Sequence, residues 1–332
     1  MKITFVLINS LIFFSLFSYR EIICKKLNLI SMPNKKTFHN KKSFLYGGIL
    51  LFPSFIISYI FITLNLDENL YLNFFLIFSF FILALMDDIF NLKPLFKIFF
   101  CSIFLIFSIY YDSTLTLYSL NSYFFGLLVF SDNLFIIYVF PVLCILLLIN
   151  AFNFIDGINC LASLIGLSFL TYTIFKNFEI LNYIYPFLIF ILVFMFFNLR
   201  KSIFLGDSGN YLISIIFGTI LIKENYHNPE AYYAEEIFLL LFIPGIDMLR
   251  LFVTRIYNKK SPFNGDNNHF HHLVFYRFGF YRTLIIYFFI VNLPLYIFNY
   301  LGSYLLLIFS VTLYLYIYLI YIGSLNKYKA KI

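Results

Sequence analysis

The stretch Asn150 to Leu161, NAFNFIDGINCL, sets two amides, a carboxylate and a glycine at the end of a long apolar run. Asn150, Asn153, Asp156 and Gly157 recur at intervals of three, three and one, so on a helix they share one face, with Phe152, Phe154 and Ile155 covering the others. An unpaired amide or carboxylate is costly beside hydrocarbon. Such a cluster therefore reads either as a functional site or as polar glue between packed helices.

Outward from this stretch the chain is apolar in both directions. With 62% hydrophobic and 12% charged residues over 332 positions, it is no ordinary soluble domain and reads as a polytopic membrane protein. Its 49 Phe and 28 Tyr occur with no Trp, so Tyr takes the place of Trp as interfacial anchor. Cys24, Cys101, Cys144 and Cys160 form no CxxC or metal spacing and read as small buried hydrophobes.

Eleven apolar segments follow one another along the chain, at about 3–19, 44–64, 70–86, 95–111, 134–149, 161–175, 180–198, 210–222, 235–257, 283–299 and 301–322. The first lacks a small-residue cleavage site and reads as a retained helix. The run 210–222 is short for a span, Tyr123 to Phe130 reads as a re-entrant or interfacial piece, and Pro244-Gly245 should bend or break the ninth helix. No repeat or soluble domain is visible, so 1–332 reads as one transmembrane domain.

If the basic loop Lys25 to Lys42 is cytoplasmic, alternation puts every Lys and Arg on that side except Lys2, Lys176 and Lys223, as the positive-inside rule requires. Pairs of spans separate Asp88 from Asn150, Gly157 from Gly206, and Asn210 from Asn258. All four polar strings then emerge on one face, where a shared cytoplasmic site is possible. The net charge of +7, concentrated there, suits an anionic substrate or lipid headgroup, although topology alone would also produce it.

Each string has its own chemistry. Asp87-Asp88 ends a helix, where the dipole disfavours negative charge, so the pair reads as cation ligands, as a proton-abstracting base, or as a solvated cluster with Lys93 and Lys97. Gly206, Asp207, Ser208 and Gly209 open a helix whose N–H groups suit a phosphate, and Asp207 is a candidate Mg²⁺ ligand. Turns use the same residue types. His269, His271 and His272 lack a fourth ligand for zinc and read instead as phosphate donors. Arg250 and Arg255 precede them, either one a partner for Asp247, and His39 with Lys35 and Lys36 adds to the same basic surface.

Together the strings resemble the polyprenyl-phosphate N-acetylhexosamine-1-phosphate transferases. The likeness runs from PNKKTFH (Pro33 to His39) and Gly47-Gly48 through MDDIFNLKPLFK (Met86 to Lys97), NAFNFIDGINCL and FNLRKSIFLGDSGN (Phe197 to Asn210). It continues to PGIDMLRLFVTR (Pro244 to Arg255) and SPFNGDNNHFHHL (Ser261 to Leu273). The resemblance implies an all-α membrane enzyme with a cytoplasmic active-site cleft, using Mg²⁺ or Mn²⁺ in its place, a UDP-N-acetylhexosamine and a polyprenyl phosphate, with no nucleic-acid partner. It further implies a multi-pass inner-membrane protein that initiates O-antigen, teichoic acid or a related glycan.

On this reading a lipid phosphate oxygen attacks the β-phosphorus of the UDP-sugar and UMP leaves, in one step or through a covalent aspartyl intermediate. Asp207 is the metal ligand, and Asp87 or Asp88 assists the metal or takes the lipid phosphate's proton. Asn150, Asn153 and Asp156 orient the nucleotide, while Lys97, Arg255, His269, His271 and His272 hold its diphosphate or sugar. The loop His269-Phe270-His271-His272 and the eleventh span resemble the hexosamine branch rather than the phospho-N-acetylmuramoyl-pentapeptide transferases. Ser31, Lys36, Asn210 and Asn267 depart from the branch's usual residues. A secondary transporter is the alternative from another class, but its site would lie near the midplane at paired broken helices.

Overall fold

The computed structural model describes residues 2–31, 43–66, 70–130, 133–261 and 267–329. Lys35, Lys36, His39 and Asp266 lie outside the described residues. The helices are α1 (Lys2–Lys26), α2 (Gly47–Leu66), α3 (Leu70–Phe90), α4 (Pro94–Tyr111), α5 (Phe140–Ile155), α6 (Leu161–Lys176), α7 (Leu181–Leu199), α8 (Gly206–His227), α9 (Ala234–Tyr257), α10 (Phe270–Phe278), α11 (Phe280–Leu301) and α12 (Leu305–Lys329). All but the nine-residue α10 fall on the apolar segments read from sequence. Five stretches among the described residues are long and apolar enough to cross a bilayer: Val6–Lys26, Pro94–Tyr111, Phe135–Ile155, Ala234–Tyr257 and Phe280–Leu325. Shorter apolar helices run over Gly47–Ile57, Leu161–Lys176 and Ile184–Leu199. The chain is a mostly helical membrane protein.

Three features refine the sequence reading. The run 210–222 belongs to the 22-residue α8, about 33 Å long, because the polar string Gly206 to Gly209 is its first turn. Pro244 sits inside an unbroken α9, where a proline removes one hydrogen-bond donor and the helix continues on both sides. Residues Tyr123 to Phe130, read as a re-entrant or interfacial piece, supply the turn and second strand of a β-hairpin, β3 (Ser119–Ser122) with β4 (Gly126–Val129). A second small sheet joins β1 (Ile30–Ser31) antiparallel to β2 (Ser43–Leu45), and β2 parallel to β5 (Ile203–Phe204).

By packing, the chain forms two compact units: Met1–Ser119 with Val129–Ala231, and Leu120–Leu128 with Tyr232–Ile332. In the first, α8 is the central helix, largely apolar between its first and last turns and buried along most of its length against α2, α3, α5 and α6. The small sheet sets where it starts. Leu205, just after β5, accepts from the Gly48 N–H at the head of α2, and a Cβ on Gly48 would stand 2.6 Å from the Gly209 nitrogen. Only a glycine lets the two helix starts approach so closely.

In the second unit the short α10 packs against α11 and α12, and α9 packs against α11. Glu236 returns its carboxylate to the Tyr233 N–H to close the start of α9, and Glu235 accepts from the Ser122 hydroxyl and the Tyr123 N–H of the hairpin.

Candidate active site

Three of the four polar strings meet in the first unit. The last turn of α3 presents Asp87 and Asp88 with different partners. Asp87 is 3% exposed. Its Oδ1 accepts from the Leu92 N–H at 2.8 Å, stabilising a turn in which Asn91 adopts φ +51°, and its Oδ2 pairs with the Lys97 ammonium on the first turn of α4. The same ammonium lies 3.6 Å from Asp207 Oδ2. Residues far apart in the chain thus build a carboxylate pair around one cation. Asp207 keeps 35% of its side chain exposed, so this pair is open on one side.

Asp88 faces the start of α8. Its Oδ1 accepts from the Asp207 N–H at 2.8 Å and its Oδ2 from the Ser208 N–H at 3.0 Å. This is a helix cap supplied from another helix, with negative charge against the positive end of the dipole, an arrangement stabilising by about 1 kcal/mol. The expectation of a phosphate at these N–H groups is thereby corrected, because Asp88 already takes two of them. Gly206 makes the capping possible. Its φ of +74° is unfavourable for other residues, and a Cβ there would stand 2.9 Å from Asp88 Oδ2.

The string Asn150 to Leu161 divides. Helix α5 ends at Ile155, so Asp156 is its C-cap and Gly157 lies in the following turn, off the helical face on which sequence spacing put them. Asn150 spends its amide on the Leu146 carbonyl of its own helix, whereas Asn153 buries Oδ1 without a hydrogen-bond partner. Asp156 Oδ2 accepts from the Asn210 side-chain amide at 2.8 Å, tying the end of α5 to the first turn of α8. Burial pushes the Asp156 carboxyl up to about 7, with the nearby charge of Asp88 adding to the rise and the Asn210 hydrogen bond opposing it.

The turn after Asp156 is held by Asn198, at the end of α7. Its Oδ1 accepts from the Cys160 N–H, its Nδ2 donates to the Ile203 carbonyl at 2.6 Å, and its own carbonyl accepts from Asn159. Neither Asn198 nor Asn210 stood out in sequence as a site residue. The signal that exposed Asn150, an amide at the end of an apolar run, was present for Asn198 too.

The fourth string forms a separate polar centre within the second unit. Asp247 Oδ1 accepts from Arg250 Nη2 at 2.7 Å, Arg250 Nε at 3.2 Å and the Tyr316 hydroxyl at 3.0 Å, and its Oδ2 from the Phe270 N–H at 3.0 Å. The same oxygen lies 3.2 Å from His269 Nδ1. Of the two arginines weighed as partners for Asp247, Arg250 is the one engaged. Arg255 is buried in the last turn of α9.

His269 precedes α10, and His271 and His272 lie in its first turn, all three buried, with the last two rings 4.1 Å apart. Burial holds the His271 imidazole well below its usual 6.5, helped by His272 and His269, so it is neutral at physiological pH, and its Nε2 is buried without a hydrogen-bond partner. The expected phosphate contact from this ring is then a neutral N–H donor rather than a cation.

A magnesium ion is expected at Asp207, and the donor set fits one. Mg²⁺ takes one or two protein carboxylates and completes its shell with water and substrate phosphate, and here two carboxylates already share a cationic partner in Lys97. Among the described residues no three His, Cys, Asp or Glu side chains converge as a metal cage.

Residues 70–225, which carry the whole carboxylate site, match the sequence profile of Glycosyl transferase family 4. The chain is 28% identical over 297 residues to an undecaprenyl-phosphate alpha-N-acetylglucosaminyl 1-phosphate transferase of Thermotoga maritima, covering 89% of this chain and 88% of that protein. Proteins of the same name from Yersinia pestis (28% over 149 residues, 41% of this chain and 40% of theirs) and Escherichia coli K12 (29% over 136 residues, 38% and 37%) are similar over a shorter part. The part of this chain that builds the carboxylate site is thus the part similar to glycosyl transferase family 4.

Proposed function

We propose that this protein transfers N-acetylhexosamine-1-phosphate from a UDP-sugar to a polyprenyl phosphate, undecaprenyl phosphate in a bacterium, releasing UMP and leaving a lipid-linked diphosphate sugar. The observation that carries this reading is the pairing of Asp87 and Asp207 about Lys97 within the region that matches the family. The names of the relatives support a sugar-1-phosphate transferred to an undecaprenyl phosphate. On this proposal the chain crosses the inner membrane eleven times, its reaction centre is on the cytoplasmic face, and its product starts a cell-envelope glycan.

The residues divide the work by their surroundings. Asp207, with Asp87, would hold Mg²⁺, which when bound offsets the repulsion between two anionic reactants. Asp87 takes the lipid phosphate's proton, since it stands beside Asp207 at the Lys97 ammonium, whereas Asp88 is bound to the start of α8. The freed phosphate oxygen attacks the β-phosphorus, that phosphorus gives up its bond to the bridging oxygen, and the electron pair leaves with UMP. Lys97 keeps the two carboxylates together and balances their charge before substrate arrives. Asn153 and Asp156 orient the nucleotide from the end of α5, and His269, His271, His272 and Arg255 contact the diphosphate or sugar.

Purified protein in detergent with polyprenyl phosphate should exchange labelled UMP into a UDP-N-acetylhexosamine, and only with divalent metal present. A transporter exchanges none. Absence of exchange with every UDP-sugar tried would overturn the proposal, and preferential use of UDP-N-acetylmuramoyl-pentapeptide would move the protein to the peptidoglycan branch.

A further inference from the structure

Helix α12 is an apolar helix whose Tyr314, Tyr318 and Tyr321 are exposed, as anchors in a membrane would be. Tyr316 is different. It is 2% exposed, its ring centroid lies 5.0 Å from that of Phe270 at the start of α10, and its hydroxyl both donates to Asp247 Oδ1 and accepts from Arg250 Nε at 3.1 Å. Packing alone would be served as well by phenylalanine. The hydroxyl has a use only in the polar centre around Asp247.

Seven residues on, and so on the same face of the helix, Gly323 lies against the backbone of α10. A Cβ there would stand 2.5 Å from the Leu273 carbonyl oxygen and 2.9 Å from its Cβ, too close for any side chain. Helix α12 therefore holds α10 at two places, through Tyr316 at its first residue and through Gly323 one turn later. Between those places lie His271 and His272. Asp247 completes the grip by accepting from the Phe270 N–H and facing His269 Nδ1, which sets the ring's orientation from behind.

We infer that Tyr316 is a positioning residue for donor binding: through Asp247 it fixes the histidine helix, and α12 is thereby part of the nucleotide-sugar machinery rather than a membrane anchor alone. The inference rests on the reading that the histidines contact the UDP-sugar. It adds to that reading the element that determines where the histidines stand.

The test compares Tyr316→Phe with His271→Ala and His272→Ala in the UMP exchange assay, using the full chain in detergent. Tyr316→Phe keeps the ring and should leave the melting temperature within a few degrees. It should raise KM for the UDP-sugar by about tenfold, the scale of one lost hydrogen bond to a charged group, with KM for polyprenyl phosphate unchanged. Gly323→Ala, which pushes on the Leu273 carbonyl, should shift the same constant in the same direction. If the histidine variants raise KM for the nucleotide and Tyr316→Phe does not, the role of α12 fails while the reading of the histidines stands. If neither histidine variant moves it, that reading fails and the inference fails with it. A change in both substrates' KM values in Tyr316→Phe would mark a general structural role and also overturn the inference.

Discussion

In the first unit two carboxylates, Asp87 and Asp207, share the ammonium of Lys97, whereas in the second unit one carboxylate, Asp247, collects Arg250, Tyr316, His269 and the Phe270 N–H. A carboxylate with every lone pair taken is fixed in place and has nothing left to offer a ligand. A pair short of positive charge, and open on one side, holds a site for more. The same residue type thus does chemistry in one place and carpentry in the other. The deciding quantity is the ratio of donors to acceptors around it. Adjacent residues can differ in the same way: Asp88 spends both oxygens on backbone N–H groups at the start of α8, whereas Asp87 gives one to the Leu92 N–H and the other to the cation that Asp207 also faces.

The largest effect should come from unbalancing the open pair. Asp87→Asn and Asp207→Asn should each lower exchange by about a thousandfold with little change in melting temperature, the scale seen when a group aimed at developing charge is removed. Asp88→Asn should behave as a cap variant, destabilising by about 1 kcal/mol and losing less turnover. The comparison breaks if Asp247→Asn costs more turnover than Asp87→Asn does.

A smaller effect is expected at the glycine that lets Asp88 reach α8. Gly206→Ala meets both the left-handed backbone and the carboxylate, and should destabilise by about 2 to 4 kcal/mol. Thermal unfolding in detergent measures this, and a melting point equal to the parent's would mean that the cap is dispensable.

The smallest and most diagnostic effect is a difference in sign with pH. His271 has its imidazole held below 6.5, so its neutral form is the folded one, and stability is lost as pH falls below that value, by at most about 1.4 kcal/mol per unit for one group. Asp156, raised from 3.8 to about 7, has the opposite slope: protonation favours its folded surroundings, and its contribution is lost as pH rises through that range. Amide exchange between about pH 7.5 and 5.5, corrected for the intrinsic rate, should show α10 losing protection on acidification while the junction of α5 and α8 keeps or gains it. Parallel changes in the two would remove the electrostatic basis of the comparison, and His271→Gln should flatten the α10 response.

Much of this was legible in the sequence because hydrocarbon is an unforgiving solvent. Apolar runs marked α1 to α9, α11 and α12, and a polar string at the end of such a run marked Asp87, Asp156 and Asp207, since each has a cost that only a partner or a function offsets. Spacing could not divide the labour among them. Whether Asp88 caps a helix or takes a proton depends on where residue 207 lies in space, and the choice of Arg250 over Arg255 as partner of Asp247 depends on side-chain direction. Tyr316 gave no signal at all, being one of 28 tyrosines and set in an apolar helix. The chain by itself determined the apolar helices and their order, because burial and periodicity are local properties. Tertiary structure alone decided which oxygen meets which donor, because a hydrogen bond depends on ångström distances between residues that the sequence holds tens of positions apart.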